Sequence, residues 1–296
     1  MSKFREALGS DKFLVTVKVE PPKGVNLEPF IKALDAITGK VDGVTVPDNR
    51  SARIQLGPLA AALKVQEKGL DPILSMCCRD RNRLALCADA LGAYAMGIEN
   101  VLCVTGDYFH FGDAPEAKPV YDLDSVQAIE MIHQMEQGRD IGGNDLDGTP
   151  SFCVGCVGNP QAVPLEPQLL KIDKKLGAGV AFIQTLDIFD LEQARSFLEH
   201  LGEKGVKILL GIGFITDREV RKAREGKLPG NPIPREIMDE MGSLSGPEEV
   251  LTQAKSRMIE MITQVKGSGL CHGVHLTLNG YESLLSEILQ GAGIQP

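Results

Sequence analysis

Charged and amide side chains follow most of the apolar runs of this 296-residue sequence. They are acids, amides and arginines, and they include Glu20, Asp48, Asn49, Arg79, Asp107, Asn159, Gln184 and Asn279. Side chains of these types bind a ligand that has many hydrogen-bonding edges and a phosphate group. Loop tips are polar in general, so each residue taken singly also fits a solvated loop.

The first apolar run ends at two ionisable residues, Lys18 and Glu20, just before a pair of prolines. Their spacing places both side chains on the same face of a strand. A carboxyl group whose pKa is raised by burial serves as a general acid, so Glu20 is a candidate proton donor. The alternative is a Lys/Glu pair at the surface.

In the triplet Thr105-Gly106-Asp107, a carboxylate follows a glycine, where a ligand ring can approach the backbone closely.

The cysteine and histidine spacings do not indicate a metal site. Cys153 and Cys156 have the spacing of a metal or redox pair, but no second pair or nearby histidine run completes a tetrahedral set. His272 and His275, three residues apart on a predicted strand, face opposite sides. We therefore predict no metal and interpret both cysteines as core residues. No Gly-rich phosphate loop follows the first strand, which disfavours a Rossmann nicotinamide site.

Composition excludes several classes of protein. Hydrophobic residues make up 43% and charged residues 24%, as in ordinary globular proteins. The formal charge of −9 provides no net-positive field for nucleic acid or anionic membrane, so neither is an expected partner. The sequence has no apolar run of about 20 residues and a polar amino terminus, which predicts no membrane span, no signal peptide and a cytoplasmic location.

Eight short apolar runs alternate with amphipathic segments of helical length. The runs cover residues 13–19, 43–46, 72–78, 101–105, 151–156, 181–186, 206–212 and 273–278. Strands separated by helices pair in parallel, and eight such units favour a closed (β/α)8 TIM barrel of the α/β class over an open sheet. We expect a single domain over residues 1–296, with a Pro/Gly-rich insertion at about 226–247 in one βα loop. In such a barrel the polar residues after each strand meet at one end.

The continuous stretch from residue 78 to 126 resembles the flavin-binding middle of the flavin-dependent methylenetetrahydrofolate reductases, which are (β/α)8 barrels. It reads CRDRNR, then LGAYAMGIENVLCVTGD, then FGDAPEAKPVYDLDSV, and the order of segments matches across nearly the whole chain. The resemblance implies reduction of 5,10-methylenetetrahydrofolate to 5-methyltetrahydrofolate by hydride transfer from a reduced flavin. The implied cofactor is FAD, with FMN as the alternative.

The resemblance also assigns residues to roles. It implies that Asp107 lies beside the flavin pyrimidine edge and tunes hydride transfer, with Thr105 and Gly106 along the ring. The other cofactor-binding residues that it implies are Ser75, Arg79, Tyr121, Asp122, Asp124, Asn159 and Lys175. Glu20 would protonate the pterin, and Gln184 with Asn279 would orient it.

Three positions depart from the family's pattern. At the end of the third strand, Ser75 stands where the family has a histidine or similar residue near the flavin. The family's proton-donating glutamate stands three residues before the proline pair, where this sequence has Lys18, and the acid here is Glu20 on the same face. The family's Thr-Gln on the sixth strand is replaced by Thr185-Leu186, with Gln184 nearby. The flavin-binding positions are therefore better preserved than the folate-binding positions.

Two alternatives stay open on the sequence. One is a pterin-dependent methyltransferase on the same fold, which needs no flavin. The other is a diverged flavin-carrying subunit of a larger redox complex. The expected partners are a tetrahydrofolate-type substrate, an electron donor that is either NAD(P)H or an iron-sulfur subunit, and further copies or subunits in a homo-oligomer or hetero-complex.

Overall fold

Eight parallel strands close into a barrel in chain order. The computed structural model describes residues 1–228 and 230–295. The strands are β1 (Leu14–Lys18), β2 (Gly43–Val46), β3 (Pro72–Cys77), β4 (Asn100–Val104), β5 (Cys153–Gly158), β6 (Phe182–Asp187), β7 (Lys207–Gly213) and β8 (Gly273–Thr277). The predicted single-domain TIM barrel is confirmed, and each predicted strand lies within two residues of an observed one.

Helices surround the barrel and follow most of the strands. They are α1 (Lys3–Leu8), α2 (Glu28–Ile37), α3 (Pro58–Glu67), α4 (Arg83–Ala95), α5 (Ser125–Met135), α6 (Glu166–Gly177), α7 (Leu191–Gly202), α8 (Asp217–Arg224), α9 (Arg235–Ser243), α10 (Pro247–Ser268) and α11 (Leu285–Gly291). Side-chain caps fix several starts: Asp124 and Thr216 each form a reciprocal capping box, at α5 and α8. Within the described ranges, the structure has no helix that combines the length and apolar character needed to cross a membrane.

The predicted insertion at 226–247 lies on the connection from β7 to β8. It separates α8 from α10 and contains α9. Pro229, one of its four prolines, lies outside the described residues.

The amino end of the barrel is closed by α1, an element that the sequence analysis did not predict. Phe4 is fully buried, and its ring meets the Phe182 ring edge to face with the centroids 5.1 Å apart. The cluster around it consists of inward-facing strand residues and Leu8: Leu14, Ile73, Leu102, Cys153, Phe182 and Leu209. This apolar plug fills the amino-terminal part of the barrel, so any ligand must enter from the carboxyl end.

The two cysteines of β5 lie on opposite faces of the strand. Cys153 belongs to the interior plug, whereas Cys156 packs in the outer core beneath the helices. Burial raises the pKa of Cys153 to about 12 and that of Cys156 to about 11, so both are thiols at neutral pH. Their interpretation as core residues is confirmed.

We expect Phe4→Ala to lower the free energy of unfolding by about 3–5 kcal/mol, because the substitution opens a cavity against Phe182 that α1 cannot fill. Leu84→Ala is the control, since Leu84 lies on α4 and is 76% exposed. The control should change stability by less than about 0.5 kcal/mol. Urea unfolding of both variants checks this, and equal losses would show that α1 does not contribute as a plug.

Candidate active site at the carboxyl end of the barrel

A cavity of about 840 Å³ opens at the carboxyl end of the strands. Its volume lies in the range of small-molecule and cofactor sites. Strand alternation explains which side chains reach it: Leu14 points into the plug, so Thr16 and Lys18 of β1 also face the interior. Parallel register places Lys18 beside Thr45 of β2 and Thr277 of β8, both of which line the cavity.

The cavity is electropositive although the chain carries a formal charge of −9. Among the described residues its lining contains nine cationic side chains and six carboxylates. The cations are Lys18, Arg50, Arg53, Arg79, Lys171, Lys175, Arg218, Lys222 and Lys227. A concave site with an excess of one charge raises the local concentration of ligands of opposite charge. The cavity therefore favours anionic ligands.

The floor of the cavity is a buried network of polar side chains. The Gln184 amide donates to Thr45 Oγ1 at 2.9 Å and to Thr16 Oγ1 at 3.4 Å. Thr16 Oγ1 in turn lies 3.0 Å from His275 Nδ1. Burial, reinforced by the charges of Lys18 and Arg50, lowers the pKa of His275 well below its ordinary value. The imidazole is therefore neutral, and the floor is polar without carrying a charge.

At the rim, Glu20 is held in an ion pair. Its carboxylate accepts a hydrogen bond from Arg50 Nη1 at 2.5 Å and a longer one from Gln55 Nε2 at 3.4 Å. Burial raises the pKa of Glu20, but the charges of Arg50 and Lys18 outweigh that effect, so the net pKa lies below the ordinary value. Glu20 is therefore an anion at neutral pH.

For Lys18, in contrast to Glu20, burial has a larger effect on the pKa than the neighbouring charges have. Burial, assisted by the Arg50 charge, lowers the pKa of Lys18 to about 8, although the charges of Asp187, Glu20 and Asp107 raise it. Among residues 1–228 and 230–295, no acceptor lies within hydrogen-bonding or ion-pairing distance of its ammonium group. The ammonium group therefore borders the cavity without a protein partner in the described structure.

The turn after β4 forms one wall of the cavity. Gly106 has a left-handed φ of +99°, and a side chain there would overlap the Cys77 sulfur and lie 2.8 Å from Arg79 Cβ. The Asp107 carboxylate accepts a hydrogen bond from the backbone N–H of Ser51 at 2.8 Å. Only glycine allows this turn to pass so close to β3 while its backbone lines the cavity.

Arg79 is almost fully buried, and its guanidinium group is used within the protein. It pairs with Asp80 at 2.7 Å and donates to the backbone carbonyls of Asp107 and Asn49 at 2.9 and 3.1 Å. It thereby links the ends of β2, β3 and β4. In this arrangement Arg79 shapes the cavity wall.

Most of the residues predicted for the site lie together at this cavity. Those that line it are Glu20, Ser75, Arg79, Thr105, Gly106, Asp107, Asn159, Lys175, Gln184 and Asn279. Lys175 is buried and donates to the Val157 carbonyl at 2.7 Å, which fixes its ammonium group near the end of β5.

Three predicted cofactor residues lie outside the cavity lining. Asp122 pairs with Arg83 at the start of α4, with Asp122 Oδ1 2.9 Å from Arg83 Nη2. Asp124 caps α5 by accepting from two backbone N–H groups. Tyr121 adopts a left-handed φ of 43°. Their contact with a cofactor stays a prediction.

Three residues with defined chemistry, two in the cavity lining and one in the floor beneath it, were not predicted from the sequence. Arg50 reaches the rim because the turn after β2 adopts left-handed φ at Asn49 and Ser51, which the sequence gives no pattern to predict. Thr16 and Thr45 are inward-facing residues of short strands, and alternation from Lys18 identifies Thr16. The alternation alone does not show which inward-facing residues form the cavity floor and which belong to the apolar core. That depends on where the plug ends, which is at Leu14.

The fold is that of a TIM-barrel protein, and its cavity lies at the carboxyl ends of the strands, where enzymes of this architecture have their active sites. The family model for methylenetetrahydrofolate reductase matches residues 3–293. The chain therefore belongs to the methylenetetrahydrofolate reductase family.

Individual relatives are distant. A probable methylenetetrahydrofolate reductase (NADPH) of Caenorhabditis elegans is 27% identical over 241 residues, which cover 79% of this chain and 34% of that protein. The chain thus spans about a third of the length of this curated relative.

Two solved structures share the fold. An uncharacterized protein from Clostridium thermocellum that binds two copies of 5-methyl-5,6,7,8-tetrahydrofolic acid has a TM-score of 0.71 at 13% identity, covering 99% of this chain and 100% of its own. An F420-dependent secondary alcohol dehydrogenase in complex with an F420-acetone adduct has a TM-score of 0.58 at 13% identity, covering 95% and 99%. At this identity both similarities establish the fold alone.

Gly106→Ala is expected to destabilise the protein more than Gly143→Ala, by about 1–3 kcal/mol. Both glycines have left-handed φ, so both variants incur the same backbone strain, but nothing lies within 4 Å of a side chain at Gly143. The difference therefore isolates the overlap with Cys77 and Arg79. Chemical denaturation measures this difference in the free energy of unfolding. Equal destabilisation of the two variants would mean that the wall next to Cys77 can move to accept the added methyl group.

Proposed function

We propose that this chain is a flavin-dependent reductase that converts 5,10-methylenetetrahydrofolate to 5-methyltetrahydrofolate. The observation that carries the proposal is the electropositive cavity bordered by Gly106 and Asp107, in a chain of the methylenetetrahydrofolate reductase family. The methyltetrahydrofolate bound by the Clostridium thermocellum protein supports a folate-type ligand for this fold.

The residues at the cavity fit a flavin nucleotide. The volume of about 840 Å³ is at the upper end for ligand sites, which suits a cofactor and a substrate together. Lys171 and Lys175 on α6 provide cations for phosphate groups, and the Gly106 backbone leaves the wall open to a flat ring. A bound reduced flavin supplies the hydride for the reaction. We propose FAD, with FMN as the alternative.

Asp107 is proposed to tune the cofactor. Its side chain is fixed by the Ser51 N–H and lies in the wall beside Gly106. A fixed carboxylate disfavours the build-up of further negative charge next to it, so it favours departure of a hydride from a reduced ring. Asn159 and Thr105 complete the wall on the β4 and β5 side.

The pterin is proposed to bind over the polar floor. Gln184 and Asn279 line the cavity and offer amide groups, although the Gln184 amide is already hydrogen-bonded to Thr45. Arg53, Lys222 and Lys227 also line the cavity and offer cations for the carboxylates of a folate tail. Substrate orientation therefore depends on amides below and cations at the rim.

An absorbance spectrum followed by anaerobic addition of 5-methyltetrahydrofolate tests the proposal. We expect a flavin spectrum in the protein as purified or after addition of FAD or FMN, and bleaching by the folate through the reverse half-reaction. A flavin spectrum that does not bleach would favour a diverged flavin-carrying subunit. A protein that binds neither flavin would favour a methyltransferase.

Lys175→Met should weaken FAD binding at least tenfold, because loss of a charge-assisted hydrogen bond to phosphate costs about 1.5–3 kcal/mol. Methionine keeps the length of the buried side chain, and thermal unfolding confirms that the variant folds. The matched control is Lys174→Met, since Lys174 is its exposed neighbour on α6. Fluorescence titration with FAD gives both dissociation constants, and equal weakening in the two variants would argue against a specific role for Lys175.

A further inference from the structure

We propose that Lys18 is the proton donor of this site and that it protonates N10 of the folate, the nitrogen whose bond to the methylene carbon opens during reduction. This inference rests on the proposed function and deepens it. It assigns the acid to the residue that borders the cavity interior instead of to Glu20 at the rim.

The position of Lys18 on β1 places its side chain at the cavity. Lys18 is the last inward-facing residue of the strand, above Thr16 in the floor, and lies between Thr45 and Thr277 of the neighbouring strands. It lines the cavity, and within the described part of the chain no side chain or carbonyl accepts its protons. An ammonium group without a protein acceptor is available to donate to a ligand.

The geometry of Glu20 suits an ion-pair partner of Arg50 better than a proton donor. Its carboxylate is 40% exposed and held by Arg50 at 2.5 Å, outside the polar floor. A carboxylate in an ion pair gives up a stabilising contact when it takes a proton, so it is a poor store for the proton that the reaction needs. We infer that Glu20 is a positioning residue that holds Arg50 and raises the pKa of Lys18.

The charges around Lys18 support its role. Arg50 of the β2 turn lowers its pKa, whereas Asp187 of β6, Glu20 after β1 and Asp107 after β4 raise it. On β8, His275 is neutral, since its pKa lies well below the ordinary value because of burial. Burial dominates this balance and brings the pKa of Lys18 to about 8, near the working pH, where a general acid is most effective.

Proton transfer from Lys18 precedes cleavage of the carbon–nitrogen bond. The N–H bond of the Lys18 ammonium breaks, and the proton bonds to the lone pair of N10. The bond between that nitrogen and the methylene carbon then breaks, and its electron pair stays on the nitrogen. The resulting iminium carbon would become the methyl group on accepting a hydride, with its two electrons, which a reduced flavin would supply when bound. Lys18 remains as a neutral amine and regains a proton from water.

Stopped-flow oxidation of the reduced enzyme by methylenetetrahydrofolate tests this assignment. In the wild type the rate should fall as the pH rises through about 8, because the donor must be protonated. Lys18→Met should slow this half-reaction at least about 100-fold, the usual contribution of a general acid. Lys18→Arg keeps the charge but releases no proton at these pH values, so it should be equally slow. Reduction of the flavin by dithionite should be unaffected in both.

Glu20→Gln separates the two candidate acids. We expect it to slow the same half-reaction less than tenfold and to move the fall in rate to lower pH, since the Glu20 charge raises the pKa of Lys18. A loss of 100-fold or more in Glu20→Gln, with the rate retained in Lys18→Met, would overturn the assignment and make Glu20 the donor.

Chemical labelling gives a readout that does not depend on turnover. Pulse labelling with acetic anhydride across pH, followed by mass spectrometry, should show Lys18 reaching half-maximal reactivity near pH 8. An exposed lysine does so above about pH 10. Addition of 5-methyltetrahydrofolate should protect Lys18. Labelling like that of an exposed lysine, or no protection, would overturn the proposal.

The two proposals fail in different ways. If the wild-type flavoprotein is not bleached by 5-methyltetrahydrofolate, the proposed function is overturned and the proton-donor role falls with it. If 5-methyltetrahydrofolate bleaches the flavin of the wild type, and bleaches that of Lys18→Met at the same rate, only the role of Lys18 is overturned.

Discussion

Closing eight parallel strands into a barrel forces every second side chain into one shared interior, and the rest of this structure depends on how that interior is filled. The amino-terminal part is filled by apolar side chains and by Phe4 of α1. The next layer holds the polar network of Thr16, Gln184 and His275. Because the strands end just above this layer, the cavity has a polar floor and opens only toward the βα loops.

The cavity is electropositive, whereas the chain as a whole carries a negative net charge. An acidic protein avoids non-specific binding of nucleic acid, while a local excess of cations in a concave site still attracts anionic ligands. Several of these cations, such as Arg50 and Arg79, are held by carboxylates or carbonyls of the protein. Others, such as Arg53 and Lys171, line the cavity and have no carboxylate partner within the described part of the chain. The first group shapes the site, and the second is available to contact ligands.

Much of the fold follows from the sequence because the barrel strands are short apolar runs, each separated by a segment of helical length. The α1 plug does not follow, since a six-residue helix with two buried side chains has too few apolar positions to show a period. The site is predictable where a residue lies within a few positions of a strand end, as Asp107 does after β4. It is not predictable where a strained turn decides, as at Asn49 and Ser51, which bring Arg50 to Glu20. Tyr121 and Asp122 show the converse, since family resemblance links them to the cofactor while the structure places them beside the cavity.

Exchange of an acid for a base at the inward-facing end of β1 does not remove the capacity to donate a proton. Burial disfavours the charged form of any ionisable group, so it raises the pKa of a carboxyl group and lowers that of an ammonium group. Both shifts move the group toward neutral pH, from opposite sides. A buried carboxylic acid and a buried lysine therefore become comparable proton donors, provided that no strong partner fixes their charge. Glu20 has such a partner in Arg50, and in the described structure Lys18 has none. The site can thus keep its acid chemistry while the residue that carries the proton changes.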